Sequence, residues 1–302
     1  MIKDVIIITG PTAVGKSEIA VEIAKTVGGE IISADSMQIY RGLNVGSGKI
    51  TPEEMQGIKH YLLDIKSINQ TYSVAEFCED CKKIIKQIML KGKVPIIVGG
   101  TGLYIKALTN DYNYFGVKRD DELRDELEKY AEKNGLNDLY EMLKKLSPVL
   151  AEKISPTDKK RIVRALEICK SKKREIKVNS EQFTYKVFAL NTERSVLYDR
   201  INQRVSKMIQ IGLVEEVKKL VGEGLTRDNQ CAKGIGYAEI LDYLDGTYSL
   251  SEAIEKIKQH SRNYAKRQLT LLRGIAPIWI EAFPRENAIK EILKEVEYGL
   301  DN

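Results

Sequence analysis

Eight residues near the start of the chain have the types and the spacing of a phosphate-binding loop. They read GPTAVGKS from Gly10 to Ser17, which is the pattern G-x-x-x-x-G-K-S. Glycine at both ends lets the backbone turn tightly, so that successive N–H groups point into one concavity that accepts phosphate oxygens. The Lys16 ammonium can reach a terminal phosphate, and the Ser17 hydroxyl can ligate a Mg²⁺ ion that bridges two phosphates. The sequence therefore predicts a site for a phosphate compound without specifying which one.

The segments on both sides of this loop are those that the pattern requires. Val5–Thr9 is a short apolar run, rich in β-branched residues, which is typical of a strand buried on both faces of a parallel sheet. The ten residues after Ser17, EIAVEIAKTV, have the composition of a helix. The alternative is a glycine turn that only joins a strand to a helix, and the complete pattern with both flanks disfavours it.

A second polar segment, DSMQIY from Asp35 to Tyr40, follows the next predicted strand, residues 30–34. In an open α/β sheet the ligand crevice lies at the carboxyl ends of the strands, so we expect Asp35 beside the phosphate loop. Asp35 can also cap a helix, with Gln38 three residues later completing a capping box. The local sequence leaves both roles open.

Two more strands are predicted at residues 60–65 (HYLLDI) and 94–98 (VPIIV), with a helix between them. This alternation of strands and helices is typical of a parallel sheet. The strand at 94–98 is followed by the turn GGTGLY from Gly99 and not by an acidic residue. A motor-type ATPase needs a carboxylate at that position, so the sequence disfavours this class.

The pattern changes to helices alone from about residue 116, and strand character returns at residues 185–190. We therefore predict a P-loop core in two parts, 1–115 and 183–302, and a helical insertion at 116–182. The predicted fold class is α/β, with a parallel-sheet P-loop core, helices on both faces and an inserted all-helical domain.

Charge is unevenly distributed within this insertion. Residues 118–158 carry 8 basic and 11 acidic side chains, whereas residues 159–178 carry 9 basic and 2 acidic ones, a net charge of +7. A solvated helix face is the usual explanation of a charged run. The size of the imbalance favours contact with a phosphate backbone. Residues 256–273, in a later predicted helix, are also basic, with six basic residues and no acidic one.

A predicted helix over residues 195–211 places Arg200 and Arg204 one turn apart on the same face. Two arginines in this arrangement can clamp a pyrophosphate. They can equally belong to a solvated surface, and the sequence does not decide between the two.

The whole chain of 302 residues has an apolar fraction of 43% and a charged fraction of 30%, which are typical of a globular protein. It contains no run of about 18 apolar residues, and its first apolar segment is too short for a signal peptide. Cys78 and Cys81 form a C-x-x-C inside a predicted helix without a second pair for zinc, so we expect reduced thiols. We expect a cytoplasmic monomer that does not bind a membrane.

These motifs, in this order, resemble the tRNA dimethylallyltransferase family, also called tRNA isopentenyltransferases, in its bacterial form. A P-loop alone occurs in many enzymes, but its combination with DSMQIY, GGTGLY and YAKRQ is specific. The matching segments are GPTAVGKS at 10–17, DSMQIY at 35–40, HYLLDI at 60–65, YSV at 72–74, GGTGLY at 99–104, DKKRIVRALEI at 158–168, GIGYAE at 234–239 and YAKRQLTLLR at 264–273.

The resemblance implies transfer of a dimethylallyl group from dimethylallyl diphosphate to the exocyclic amine of the adenosine 3′ of the anticodon in tRNA. The products are isopentenyladenosine and diphosphate. Three residues are implied to be catalytic: Asp35 accepts a proton or hydrogen bond from the amine, Arg204 stabilises the leaving group, and Lys16 binds it. Mg²⁺, held in part by Ser17, is the implied cofactor.

The resemblance also implies two sets of binding residues. The set for diphosphate is Gly10, Pro11, Thr12, Ala13, Val14, Gly15, Lys16 and Ser17. The set for tRNA is Asp35, Ser36, Met37, Gln38, Thr101, Arg124, Lys160, Arg161, Ile162, Val163, Arg164, Lys233, Gly236 and Tyr237.

Two other kinds of function stay open at the level of the sequence. An adenylate isopentenyltransferase acting on free nucleotides, or a P-loop small-molecule kinase, has no use for the helical insertion and its basic residues. An RNA-binding protein that uses a nucleotide as a switch binds tRNA but forms no product.

Overall fold

The computed structural model describes residues 4–109, 120–171 and 183–297. These residues fall into two compact units. One unit contains residues 4–109 and 183–297, and the other contains residues 120–171.

The first unit is built on one sheet, in which the described residues form six strands. They are β1 (Asp4–Thr9), β2 (Gly29–Ser33), β3 (His60–Tyr61), β4 (Val94–Gly99), β5 (Thr184–Asn191) and β6 (Ile278–Glu281). Their spatial order is β3-β2-β4-β1-β5-β6, and each neighbouring pair is parallel. The phosphate-binding loop therefore leaves the sheet from a central strand.

Helices cover both faces of this sheet. They are α1 (Lys16–Val27), α2 (Pro52–Met55), α3 (Val74–Leu90), α4 (Gly102–Thr109), α9 (Arg194–Gln210), α10 (Leu213–Gly222), α11 (Tyr237–Leu244), α12 (Leu250–Arg273) and α13 (Arg285–Glu297). Capping boxes that begin at Ser73 and Ser249 fix the starts of α3 and α12.

Side chains that alternate along β1 separate two hydrophobic cores. Ile7 packs on one face with buried residues of α3, α10 and α11, and Ile6 and Ile8 pack on the other with buried residues of α1, α9 and α13. All three isoleucines are at most 2% exposed. The predicted parallel sheet with helices on both faces is therefore confirmed.

The second unit contains four helices in its described residues. They are α5 (Asp121–Asn134), α6 (Leu136–Leu146), α7 (Pro148–Ala151) and α8 (Lys159–Lys170). The side chains of Asp120 and Asp158 accept hydrogen bonds from the first turns of α5 and α8. Leu139, Leu143 and Ile162 are fully buried in a small core of this unit, so these amphipathic helices stabilise one another.

The structure corrects the predicted strand over residues 60–65. Only His60 and Tyr61 pair with β2. Leu62 and Asp64 have φ values of 61° and 55°, which lie in the left-handed region and are incompatible with an extended strand. The chain therefore turns away from the sheet two residues after β3 begins.

The four cysteines are free thiols, and both residues of the C-x-x-C lie inside α3 as predicted. Burial raises the pKa of Cys81 well above its usual value, which makes this thiol a poor nucleophile. Within residues 4–109, 120–171 and 183–297, no helix has the length and apolar character needed to cross a membrane.

Candidate active site

The loop between β1 and α1 has the backbone of an anion-binding turn. Gly10, Ala13 and Gly15 have φ values of 146°, 65° and 96°, and positive φ inside such a loop lets its N–H groups converge. A Cβ at position 10 would lie 2.6 Å from the Leu190 carbonyl oxygen, so only glycine fits there. The carbonyl of Ala13 accepts a hydrogen bond of 2.9 Å from Arg200 Nε, which helps to hold Ala13 in its unusual conformation.

Lys16 is the first residue of α1 and folds back over the loop. Its Nζ donates to the carbonyl oxygens of Gly10 and Pro11, at 3.1 and 2.7 Å. Burial lowers the pKa of Lys16 to about 7, and the positive charge of Arg204 acts in the same direction, while Asp35 opposes it. A bound diphosphate would favour the charged form of Lys16, because it supplies negative charge where the free loop supplies only carbonyl dipoles.

Both arginines of α9 contact the loop. Besides the bond from Arg200 to Ala13, Arg204 donates from one terminal nitrogen to Thr12 Oγ1 at 3.4 Å and from the other to the Ser47 carbonyl at 3.3 Å. Burial lowers the pKa of Arg204. The arginine pair of α9 therefore contacts the phosphate-binding loop, and the alternative that both arginines belong to a solvated surface is wrong.

Asp35 lies at the same sheet edge, two residues beyond β2. Its Oδ1 accepts the N–H groups of Met37 and Gln38 at 2.8 and 3.3 Å. These bonds stabilise a turn, and no helix begins here. The Gln38 side chain accepts from Ser33 Oγ and donates to the Gly48 carbonyl, so the predicted capping box is not formed. The negative charge of Asp35 acts on the pKa of both Lys16 and Arg204, which places the three predicted catalytic side chains in one electrostatic field.

Ser36 and Thr101 bring a second loop to this edge. The Ser36 N–H donates to Thr101 Oγ1 at 3.1 Å, and Thr101 lies two residues beyond the end of β4. The turn after β2 and the turn after β4 are thus joined beside Asp35, as expected where parallel strands end.

The structure corrects the prediction for Tyr237. Its side chain is fully buried, and its hydroxyl donates to Glu216 Oε1 at 2.7 Å and accepts from the Ser47 N–H at 3.2 Å. Tyr237 is therefore a core residue without a surface for tRNA. Gly236, next to it, is also buried, whereas Lys233 is exposed.

The α8 residues of the predicted tRNA-binding set have different environments. Lys160 and Arg161 are exposed. Ile162 and Val163 are 0% and 4% exposed and belong to the core of the helical unit, so their side chains offer no surface to tRNA and their assignment to the tRNA-binding set stays a prediction. The basic residues 172–178 of the same predicted surface lie outside the described residues.

Arg124 and Arg164 form ion pairs within the helical unit. They donate to Glu167 Oε2 at 2.8 and 2.6 Å. Burial acts to raise the pKa of Glu167, but the hydrogen bonds from the two arginines and from the Asp120 N–H lower it. This buried carboxylate therefore orients two cations of the predicted tRNA-binding set.

Two further residues at the site were not predicted. Glu216 of α10 accepts the N–H groups of three successive loop residues, 44–46, at 3.0, 2.7 and 3.1 Å. Gln268 of α12 accepts the Thr12 N–H at 2.9 Å and donates to the Gly100 carbonyl at 2.6 Å. Neither residue has a local signal for this role, although Gln268 belongs to the matched segment YAKRQ.

Ser17 is exposed in the first turn of α1. Within the described ranges, no group of three or more His, Cys, Asp or Glu side chains could hold a metal ion. A single hydroxyl nevertheless fits Mg²⁺ that is carried mainly by phosphate oxygens and water. The site can therefore accept a metal that arrives with the diphosphate.

Comparison with known proteins identifies the family. The profile of the family described as IPP transferase matches residues 38–274. The chain belongs to the IPP transferase family. One relative of this family member is the tRNA dimethylallyltransferase of Anoxybacillus flavithermus, which is 46% identical over 97% of this chain and 96% of the relative. Another is the tRNA dimethylallyltransferase of Geobacillus thermodenitrificans, which is 45% identical over 96% of this chain and 94% of the relative. The bacterial-type family resemblance is thus confirmed.

Solved structures similar to this family member are also known. The full-length tRNA isopentenylpyrophosphate transferase of Bacillus halodurans has a TM-score of 0.74 and 42% identity, covering 99% of this chain and 97% of that one. A eukaryotic dimethylallyltransferase acting on tRNA has a TM-score of 0.80 and 29% identity, covering 96% of this chain and 77% of that one. The fold is therefore the one these transferases have.

Proposed function

We propose that this chain is a tRNA dimethylallyltransferase. It transfers the dimethylallyl group of dimethylallyl diphosphate to the exocyclic amine of the adenosine 3′ of the anticodon in tRNA, and it releases diphosphate. The names of the relatives support the reaction class. The observation that carries the proposal is the meeting of the phosphate-binding loop, Arg204 and Asp35 at one sheet edge.

The leaving diphosphate explains the positive groups of the loop. When the allylic carbon–oxygen bond breaks, the diphosphate gains negative charge and the carbon skeleton becomes a delocalised cation. Lys16 and Arg204 lie where that negative charge develops, so they bind the transition state more tightly than the intact donor. The loop N–H groups add dipoles in the same direction.

Asp35 is suited to accept the proton of the adenine amine. This amine is a poor nucleophile, and it must lose a proton as the new carbon–nitrogen bond forms. Asp35 Oδ1 is bound to the turn, while Oδ2 accepts no hydrogen bond from any residue in the described ranges. Oδ2 is the atom we assign to the substrate amine, and the base must leave its stack to reach it.

Mg²⁺ bound to the diphosphate, with Ser17 as one ligand, neutralises part of the charge of the leaving group. The exposed cations Lys160, Arg161 and Lys233, and the basic face of α12, are suited to the phosphate backbone of tRNA. We place the reaction in the cytoplasm and expect a single chain to carry it out.

The rival functions lack support at specific positions. A small-molecule kinase or a motor-type ATPase needs a carboxylate to organise the metal and the attacking group, whereas β4 ends at Gly99 and continues as Gly100 and Thr101. An RNA-binding switch has no need of Asp35 beside the phosphate loop, since it forms no bond to an amine.

The test is an incubation with unmodified tRNA and labelled dimethylallyl diphosphate, with AMP and ATP in parallel reactions, followed by nucleoside analysis. We expect label in adenosine of the tRNA. Asp35→Asn should reduce the rate by about 10²–10⁴-fold, because the amide keeps the turn but accepts a proton poorly. The tRNA affinity should stay within about threefold.

Asp199→Asn, at an exposed position of α9, is the matched control and should retain full activity. Label in AMP alone, or ATP hydrolysis without any modified tRNA, would contradict the proposed function. Full activity of Asp35→Asn would instead remove Asp35 from the role of proton acceptor.

A further inference from the structure

Gln268 is a buried polar side chain that the mechanism above does not use. It lies in the second half of α12 and is 4% exposed. Its Oε1 accepts the Thr12 N–H at 2.9 Å, and its Nε2 donates to the Gly100 carbonyl at 2.6 Å. One amide group therefore joins the phosphate-binding loop after β1 to the turn after β4.

The residue type is suited to this bridge. Burying an amide is unfavourable unless it is hydrogen-bonded, and here the acceptor and the donor ends of one amide both have backbone partners. A glutamate at position 268 would lose the donor, and an asparagine would be one methylene shorter. A methionine would keep the length and shape of the side chain but make neither hydrogen bond.

The packing of α12 holds this side chain in place. Ala265 and Leu272, three residues before and four residues after Gln268, are 0% and 1% exposed. They share a helix face with Gln268, so this face of α12 is held by close packing. Lys266 and Arg267 are exposed instead and line a groove of about 430 Å³.

The bridge restricts how Thr12 can face a ligand. Because its N–H is bonded to Gln268, Thr12 presents its hydroxyl to the site, and that oxygen accepts a hydrogen bond from Arg204 at 3.4 Å. The space at position 100 depends on the same side chain. A Cβ on Gly100 would lie 2.4 Å from Gln268 Nε2.

We propose that Gln268 is a positioning residue, which holds the phosphate-binding loop so that the Thr12 hydroxyl and Arg204 face the leaving diphosphate. The effects on kcat and KM that we expect from this inference rest on the proposed function. The binding of diphosphate by the loop tests it independently.

The first experiment compares Gln268→Met with Gln87→Met, the same substitution at an exposed position of α3. Gln268→Met should lower kcat by about 10–100-fold, because small displacements of groups that contact the reacting atoms are costly in rate. Its KM for tRNA should stay within about threefold, and its affinity for inorganic pyrophosphate, measured by calorimetry, should fall at least about fivefold. Gln87→Met should match the wild type in all three quantities.

The second experiment applies if Gln268→Met does not fold. Gly100→Ala keeps Gln268 but pushes its amide, so it should reduce kcat in the wild-type background. In a Gln268→Ala background the methyl group added at position 100 has room, so Gly100→Ala should alter kcat by less than about twofold. The effects of the two substitutions on kcat are then not additive, as expected for residues in contact. Additive effects of the two changes would overturn the proposal, as would a kcat and a pyrophosphate affinity of Gln268→Met equal to those of the wild type.

The two proposals fail in different ways. A wild-type protein that modifies no tRNA contradicts the proposed function. In that case pyrophosphate affinity still decides whether Gln268 organises the loop. Normal transfer by the wild type together with normal transfer by Gln268→Met would refute the inference alone.

Discussion

At the scale of a single residue, the environment of Lys16 in the free site links its protonation to ligand binding. Its ammonium donates to the carbonyls of Gly10 and Pro11, and the positive charge of Arg204 acts on it. Two cations held close together and shielded from water raise the free energy of the doubly charged state. A polyanionic ligand relieves this repulsion, so diphosphate binding and protonation of Lys16 are linked.

This linkage predicts the pH dependence of binding. Burial and the nearby Arg204 lower the pKa of Lys16 to about 7 in the free protein, and the bound ligand raises it. The complex therefore holds more protons than the free protein above pH 7, and affinity for pyrophosphate should fall as the pH rises. The Lys16 contribution to this fall is at most about tenfold per pH unit. Calorimetry in two buffers of different ionisation enthalpy should detect proton uptake by the protein at about pH 8.

Lys16→Arg is the control for titration of the pyrophosphate itself, because a guanidinium stays charged throughout this range. The variant should bind with a shallower pH dependence than the wild type. Equal slopes for the two proteins would contradict the assignment of the titration to Lys16.

The loop of residues 43–48 shows at the scale of an element how the site is supported from a distance. Glu216 of α10 accepts three successive N–H groups of this loop. At the other end of the loop, the Ser47 carbonyl accepts from Arg204 and the Gly48 carbonyl accepts from Gln38. A Cβ at position 48 would lie 1.9 Å from an Arg204 nitrogen, so the loop approaches Arg204 as closely as glycine allows.

We therefore expect Glu216→Gln to lower both stability and kcat. In the glutamine, an NH₂ group replaces one carboxylate oxygen, so a donor faces the N–H donors of the loop. Leaving such buried groups without an acceptor lowers the free energy of unfolding by about 1–3 kcal/mol. The displaced loop then misorients Arg204. Urea denaturation and steady-state kinetics measure the two effects.

The neighbouring Glu215 is exposed on the same helix, and Glu215→Gln is the matched control. It should change the free energy of unfolding by no more than about 0.5 kcal/mol. If Glu216→Gln were as mild as the control, the loop would not depend on this carboxylate.

At the scale of the whole molecule, the candidate active site lies in the unit built on the sheet. The helical unit is separate from it and has a core of its own. In the described part of the helical unit, Lys160 and Arg161 are exposed at the start of α8. Ile162 and Val163 next to them are buried. We therefore expect exposed cations such as these, and not the whole segment, to contact a polyanion.

We expect the double variant Lys160→Gln, Arg161→Gln to bind tRNA more weakly. The slope of log affinity against log salt should become shallower by about 1.4–1.8, since each of the two lost phosphate contacts removes about 0.7–0.9. The change should be similar for different tRNA sequences, because backbone contacts carry no sequence information. Filter binding at several salt concentrations measures the slope.

Lys153→Gln, at an exposed position of the same unit but in its acidic part, should leave the salt slope unchanged. A slope of the double variant equal to that of the wild type would exclude α8 from the tRNA interface.

The sequence by itself determined the features that contiguous residues encode. The phosphate-binding loop, its flanking strand and helix, and the helical character of residues 120–171 were all predictable, because spacing and periodicity specify local structure. The position of Asp35 beside the loop also followed, since parallel strands end at one edge. The fold class is a consequence of the same alternation of elements.

Only the tertiary structure decided which distant side chains complete the site. Residues 12 and 268 are 256 positions apart, and periodicity indicates which face of α12 is buried but not what packs on it. The same reason explains why Arg204 turned out to face the loop, why Tyr237 is a core residue, and why the Asp35 carboxylate holds a turn and caps no helix. Contacts between elements depend on how whole surfaces pack, and this information is spread over the entire chain.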